Sequence, residues 1–157
     1  MLPLRCPRQH INAHPILQGF AIEGESEWSN LPLLDEWQAL SGLLEDLECP
    51  VHAVRLMRLK AGARIKPHRD GGLAMEFGQA RLHIPLSSND GVRFKVGGRT
   101  VPMHTGELWY INADMEHEVC NSGSADRINI VIDCEVNDWL KTLITEAGHI
   151  AREENRV

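Results

Sequence analysis

Past Pro50 the chain is cut into pieces too short for helices and too regularly spaced for loops. VHAVRLMRL, RLHIPL, VRFKV, RTVPM, ELWYI, HEVCN and RINIVIDC are separated by turn residues in AGA, SSNDG, GG, HTG, NADM and NSGSAD. Short strands at this spacing predict an all-β sandwich or barrel of about eight strands. Two segments define the faces. In RLHIPL, Leu82, Ile84 and Leu86 alternate with Arg81 and His83, and in RINIVIDC, Ile128, Ile130 and Ile132 alternate with Arg127 and Asn129. Successive strand side chains point to opposite faces, so each strand has an apolar and a polar side. A sheet with one wet face fits this pattern. So does a closed barrel whose polar side lines a cavity while helices cover the apolar side.

Helical spacing flanks the strands. In LPLLDEWQALSGLLEDLE, Leu33, Leu34, Trp37, Leu40, Leu43, Leu44 and Leu47 fall on one broad face, which predicts an amphipathic helix from Pro32 that Pro50 closes. In EVNDWLKTLITEAG, Val136, Leu140, Leu143 and Ile144 predict a second helix ending near Gly148. Residues 1–30, with Pro3, Pro7 and Pro15, read as irregular. The expectation is a single domain over 1–157: an N-terminal segment and helix over 1–51, a β core over 52–135 and a C-terminal helix over 136–151.

A formal charge of −6 leaves no electrostatic footprint for nucleic acid or an anionic membrane. Cys6, Cys49, Cys120 and Cys134 form no CxxC pair and no zinc-like spacing, so they read as reduced and packed. No apolar run has the length of a membrane span, and MLPLRCPRQHINAHPILQGF has no signal-peptide pattern. A reduced cytoplasmic setting is expected.

The stretch IKPHRDGG sets His68 and Asp70 one residue apart, on the same side of an extended chain. Alone it reads as a proline-led turn with Asp70 bonding its own backbone. With one further histidine it becomes two imidazoles and a carboxylate, the facial set that holds non-haem Fe(II) and leaves positions open. His10, His14 and His149 lie outside the strands, and His52 and His104 have no suitably spaced acidic neighbour. His83 and His117 remain, and Arg127 follows His117 by ten residues.

The run from HRD through RLHIPL, GELWYIN, HEV and DRINIVID to NDWL resembles the aspartyl/asparaginyl β-hydroxylases, a branch of the Fe(II)- and 2-oxoglutarate-dependent oxygenases, over roughly residues 52–140. The resemblance implies a double-stranded β-helix, a jelly-roll or cupin-like barrel, with flanking N- and C-terminal helices. It implies His68, Asp70 and His117 as the iron ligands and Arg127 as the grip on the distal carboxylate of 2-oxoglutarate. Arg81 and His83 match the family's RxH pair, which also contacts the co-substrate. Animal members look like two-histidine sites and carry a tetratricopeptide region, which this sequence lacks. Asp70 brings the chain closer to small bacterial members and free-proline hydroxylases, and argues against a halogenase.

The implied activity is hydroxylation of an amino acid or of a residue in a peptide, coupled to oxidative decarboxylation of 2-oxoglutarate to succinate and CO2. Two alternatives share the barrel: a cupin-type dioxygenase or isomerase without 2-oxoglutarate, and a non-catalytic metal- or ligand-binding barrel. Specificity would lie in the N-terminal segment, the loop over 71–80 and the turns around 87–91.

Overall fold

The strands form two antiparallel sheets that face each other. The computed structural model describes residues 1–18 and 27–154. Along the chain come β1 (Leu2–Pro7), α1 (Pro15–Gln18), β2 (Trp28–Asn30), α2 (Pro32–Glu36), α3 (Gln38–Glu45), β3 (Val51–Leu59) and β4 (Arg64–His68). There follow β5 (Gln79–Ser87), β6 (Val92–Val96), β7 (Arg99–Thr100), β8 (Trp109–Ile111), β9 (His117–Asn121), β10 (Arg127–Glu135) and α4 (Asp138–Glu154).

The larger sheet has the order β2-β1-β3-β10-β5-β8 and the smaller β4-β9-β6-β7. In the larger sheet β10 lies between β3 and β5; in the smaller, β9 lies between β4 and β6. This interleaving of β3–β10 is a double-stranded β-helix, as the resemblance implied.

The closed-barrel reading of the alternating strands holds. Leu82, Ile84, Ile130 and Ile132 form one core with Leu34, Leu40 and Leu140 from the helices. Each buried leucine or isoleucine there contributes about 1.5–3 kcal/mol. Leu86, at the end of β5, stays 36% exposed. A second core, built on Phe94, Ile111, Ala113 and Val119, fills the space between the sheets.

Four expectations need correction. The N-terminal segment is not irregular throughout: β1 joins the larger sheet between β2 and β3. The part of that segment over 19–26 lies outside the described residues. RIKPH, absent from the strand reading, is β4. Both strands carry prolines that looked like breakers, and both tolerate them at irregular register, between Pro3 and Arg5 and between Ile65 and His68. A bulge or edge removes the need for the missing N–H.

The predicted first helix is two, divided at Trp37, where φ −91° and ψ 76° leave the helical region. Pro32 at the start of α2 suits a position whose N–H would be unpaired anyway. α4 continues through Gly148 to Glu154. Asn137 sets its start, its Oδ1 accepting from the Leu140 N–H at 3.0 Å.

Candidate metal centre and its anion pocket

The register of β4 on β9 places His68 directly opposite His117, with ring centroids 4.2 Å apart. The chain then turns. The Asp70 N–H donates to Ala113 O at 2.9 Å, Leu73 N–H donates to Asp70 O at 3.1 Å, and Asp114 accepts from Gly72 N–H at 2.9 Å. Gly72 supplies the left-handed φ of +82° that this turn uses. Ligand atoms of His68, Asp70 and His117 all lie within 4.8 Å of one another, a grouping of donors that could hold a metal ion. His117 is buried, Asp70 partly buried and His68 exposed, so the group opens outward.

The imidazole hydrogen bonds suit a cation. His68 Nδ1 lies 2.8 Å from Lys66 O, and His117 Nδ1 lies 3.0 Å from Met115 O. A carbonyl oxygen only accepts, so each Nδ1 carries a proton and each Nε2 is the atom left to face a metal. Such outer bonds orient metal-binding histidines and fix their tautomer. His117 Nε2 stands 3.8 Å from Asp70 Oδ2. The Asp70 carboxylate bonds Arg81 rather than its own backbone, while the backbone turns at Asp70–Leu73.

Arg127 and His83 line the inner face of the larger sheet, each 6% exposed. Arg127 Nη2 donates to Asn129 Oδ1 at 3.0 Å, and the guanidinium carbon lies 5.8 Å from the Phe94 ring centre. Among the described residues no carboxylate pairs with it. Burial alone pushes its pKa down to about 10. A cavity of about 350 Å³ opens beside it, lined also by Asn89, Phe94, Met103 and Thr105.

Asn129 determines the state of His83. Its Oδ1 faces a guanidinium, so its Nδ2 is the atom 3.1 Å from His83 Nδ1 and donates to it. Burial first, then the charges of Arg127 and Arg81, hold the His83 pKa well below its ordinary value, so the ring is neutral. Its one proton therefore sits on Nε2, which is buried and has no partner among the described residues. Phe94 adjoins both halves of the site, 5.5 Å from the His83 ring and 6.3 Å from that of His117.

Arg81, the other half of the RxH pair, is placed against carboxylates. Its Nε and Nη2 donate to Asp133 at 2.7 and 3.0 Å, and its Nη1 donates to Asp70. Burial would lower its pKa, but these two carboxylates outweigh burial and raise it. Asp133, Asn129, Phe94 and Arg55 were not singled out as site residues by sequence. The signal for Asp133 was present: it continues the two-residue period of Arg127 and Asn129 along β10.

Comparison with known proteins adds the following. The family described as "Aspartyl/Asparaginyl beta-hydroxylase" matches residues 30–136. An L-proline cis-4-hydroxylase of Rhizobium meliloti (strain 1021) is 29% identical over 115 residues, 72% of this chain. The match spans only 41% of that relative's length. Among solved structures, a predicted oxalate decarboxylase from Thermotoga maritima is 16% identical, with TM-score 0.43 over 61% of this chain and 73% of that one. A non-heme monooxygenase in a nickel complex is 18% identical, with TM-score 0.45 over 55% of this chain and 44% of that one. The strand order, not these scores, defines the fold.

Proposed function

Because the chain belongs to the aspartyl/asparaginyl β-hydroxylase family, we propose that it is an Fe(II)- and 2-oxoglutarate-dependent dioxygenase that hydroxylates an amino acid or an amino-acid residue in a peptide. The observation that carries this reading is the pairing of donors and charge. Three metal-type donors within 4.8 Å share, through His117, the Phe94 ring with a buried guanidinium and a buried imidazole N–H that have no anion among the described residues. A site built only for a metal would not need the second half.

His68, Asp70 and His117 would hold the iron, a donor set of the facial type. Iron there would supply the oxygen chemistry coupled to decarboxylation of 2-oxoglutarate to succinate and CO2. Arg127 would take the far carboxylate through its planar fork, whose charge cannot titrate away near neutral pH. His83 Nε2–H would donate to an acceptor oxygen on the same wall. Phe94 would keep water from the space between the two halves, which strengthens each charge interaction there. Supported by the proline hydroxylase relative, the substrate class is an amino acid, free or within a peptide.

Anaerobic titration with Fe(II) and then 2-oxoglutarate tests the reading. A weak visible band that requires both components, and that fades with succinate formation on admission of oxygen, is expected. Bound iron without the band would exclude 2-oxoglutarate and move the cupin-type alternative forward. Failure to bind iron would remove the metal centre.

A further inference from the structure

Arg81 sits between two carboxylates, and only one belongs to the candidate metal centre. Asp133 receives Nε and Nη2 side by side, the paired geometry that a guanidinium fork favours. Asp133 also accepts from Arg55 Nη2. The resulting chain alternates in sign: Arg55 on β3, Asp133 on β10, Arg81 on β5, then Asp70 beyond β4. The sheet makes this possible, since Arg81 is opposite Asp133 and Arg55 is opposite Val131, the next inward residue of β10.

Side-chain exposure is 11% at Arg55, 13% at Asp133 and 14% at Arg81, then 29% at Asp70. The buried end is anchored and the ligand end is open. With its Nε edge held by Asp133, the fork cannot turn away from Asp70 without breaking a buried charged pair. Burial lowers the Arg55 pKa although Asp133 opposes it, so Arg55 is held there at a cost and makes Asp133 the hub of the chain.

We propose that Arg81 is a positioning residue for the Asp70 carboxylate, aimed by Asp133 with Arg55 as its brace, and that this chain sets how tightly a divalent cation is held. The inference rests on the metal-centre reading above. It gives Arg81 a different task from Arg127: Arg81 is already satisfied by carboxylates of the protein, whereas Arg127 awaits one from a ligand.

Electrostatics and positioning predict opposite signs for one substitution, and this makes the test decisive. Arg81→Met removes a positive charge beside the site, so charge alone would tighten binding of a dication. Loss of positioning would weaken it, by about 10–100-fold as for other outer-shell partners of metal ligands. Arg81→Lys keeps the charge but cannot span both carboxylates as a fork; it is expected to fall between Arg81→Met and the wild type.

Mn(II) titration of each full-length variant gives the affinities, and the visible spectrum of the Co(II) forms reports on the bound carboxylate. At saturating Mn(II), 2-oxoglutarate affinity should be unchanged in Arg81→Lys, which keeps the charge, a separation that general structural damage would not produce. Circular dichroism checks the fold, and Arg81→Lys carries the test if Arg81→Met does not fold. Wild-type or tighter Mn(II) binding in both variants would overturn the proposal. So would a loss confined to 2-oxoglutarate affinity, which would make Arg81 a co-substrate donor. If the wild type itself bound no Mn(II) or Fe(II), the metal-centre reading would fail and this inference with it.

Discussion

Replacing Arg127 by methionine should separate two properties that usually fall together, stability and ligand binding. Burial holds this guanidinium's pKa at about 10. Against an ordinary value of about 12.5, at about 1.4 kcal/mol per pKa unit, keeping the charge costs the free protein about 3 kcal/mol. Part of this is returned by the charge-assisted bond to Asn129, about 1.5–3 kcal/mol, and by the Phe94 ring, about 0.5–1 kcal/mol. The two sides nearly cancel, so the ligand-free variant should lose only about 1–3 kcal/mol, the cost of leaving the buried Asn129 Oδ1 without its donor. A guanidinium buried against a protein carboxylate would behave otherwise, with a loss of about 3–5 kcal/mol on truncation. The ligand-bound protein should respond very differently. Two charge-assisted bonds to a carboxylate, at about 1.5–3 kcal/mol each, correspond to at least about 100-fold in affinity. In wild type at 100 times Kd, 2-oxoglutarate would stabilise by about 2.7 kcal/mol, or about 5–11 °C for a chain of this size. With Kd raised 100-fold, the same concentration leaves about 0.4 kcal/mol. Anaerobic melting curves with Mn(II), with and without 2-oxoglutarate, measure both quantities. A large loss of stability without ligand, or an undiminished shift with it, would refute the argument.

His117→Ala leaves His68 and Asp70 without their cross-strand partner, and the Mn(II)-dependent melting shift should disappear; an intact shift would remove His117 from the centre. His83 has a folded pKa well below the unfolded value, so below about pH 6.5 the unfolded chain binds a proton that the folded one refuses. Its stabilising contribution is therefore present above pH 6.5 and lost as pH falls, with a slope of up to about 1.4 kcal/mol per pH unit. His83→Gln should flatten that part of the metal-free stability profile. Gly91→Ala would place a Cβ 2.3 Å from the backbone N of Gly123; denaturant melts should show a loss of about 1–3 kcal/mol. Gly42, inside α3 with nothing within 4 Å of an added Cβ, should instead gain about 0.5–1 kcal/mol on substitution by alanine.

The two faces of β5 and β10 were legible because strand alternation is a property of the backbone. Any sequence that separates Leu82 and Ile84 from Arg81 and His83 also states which residues share a side. Pairing between distant strands has no such local signature. That His68 lies across from His117 follows from the register of β4 on β9, and β4 itself was hidden by Pro67. Proline speaks against a strand only where its N–H would be needed, and an edge with irregular register does not need it. The same limitation hid β1. Nor does alternation reveal partners: Arg81 and Arg127 both belong to the inner face, yet one meets two carboxylates and the other meets none among the described residues. Asp133 decides this difference: the two-residue period of β10 put it on that face, but nothing in the sequence named Arg81 as its partner.

The charges on that inner face constrain what can fill it. Arg55, Arg81 and Arg127 bring three positive charges, Asp133 and Asp70 bring two negative ones, and His83 is neutral. The surplus is one positive charge, and it resides at Arg127, where no carboxylate of the described residues answers it. A divalent cation at His68, Asp70 and His117 would add two more. The ligand that suits both halves is then a dianion, with one end for the cation and the other for the guanidinium. A neutral ligand would leave Arg127 desolvated and unpaired, and a monoanion could answer only one end. The proposed dicarboxylate would relieve both, so cation and co-substrate should strengthen each other's binding; coupling between sites of this kind is typically about 1–3 kcal/mol. On the proposed reading, the desolvated charge of Arg127 would become favourable only with that second ligand bound.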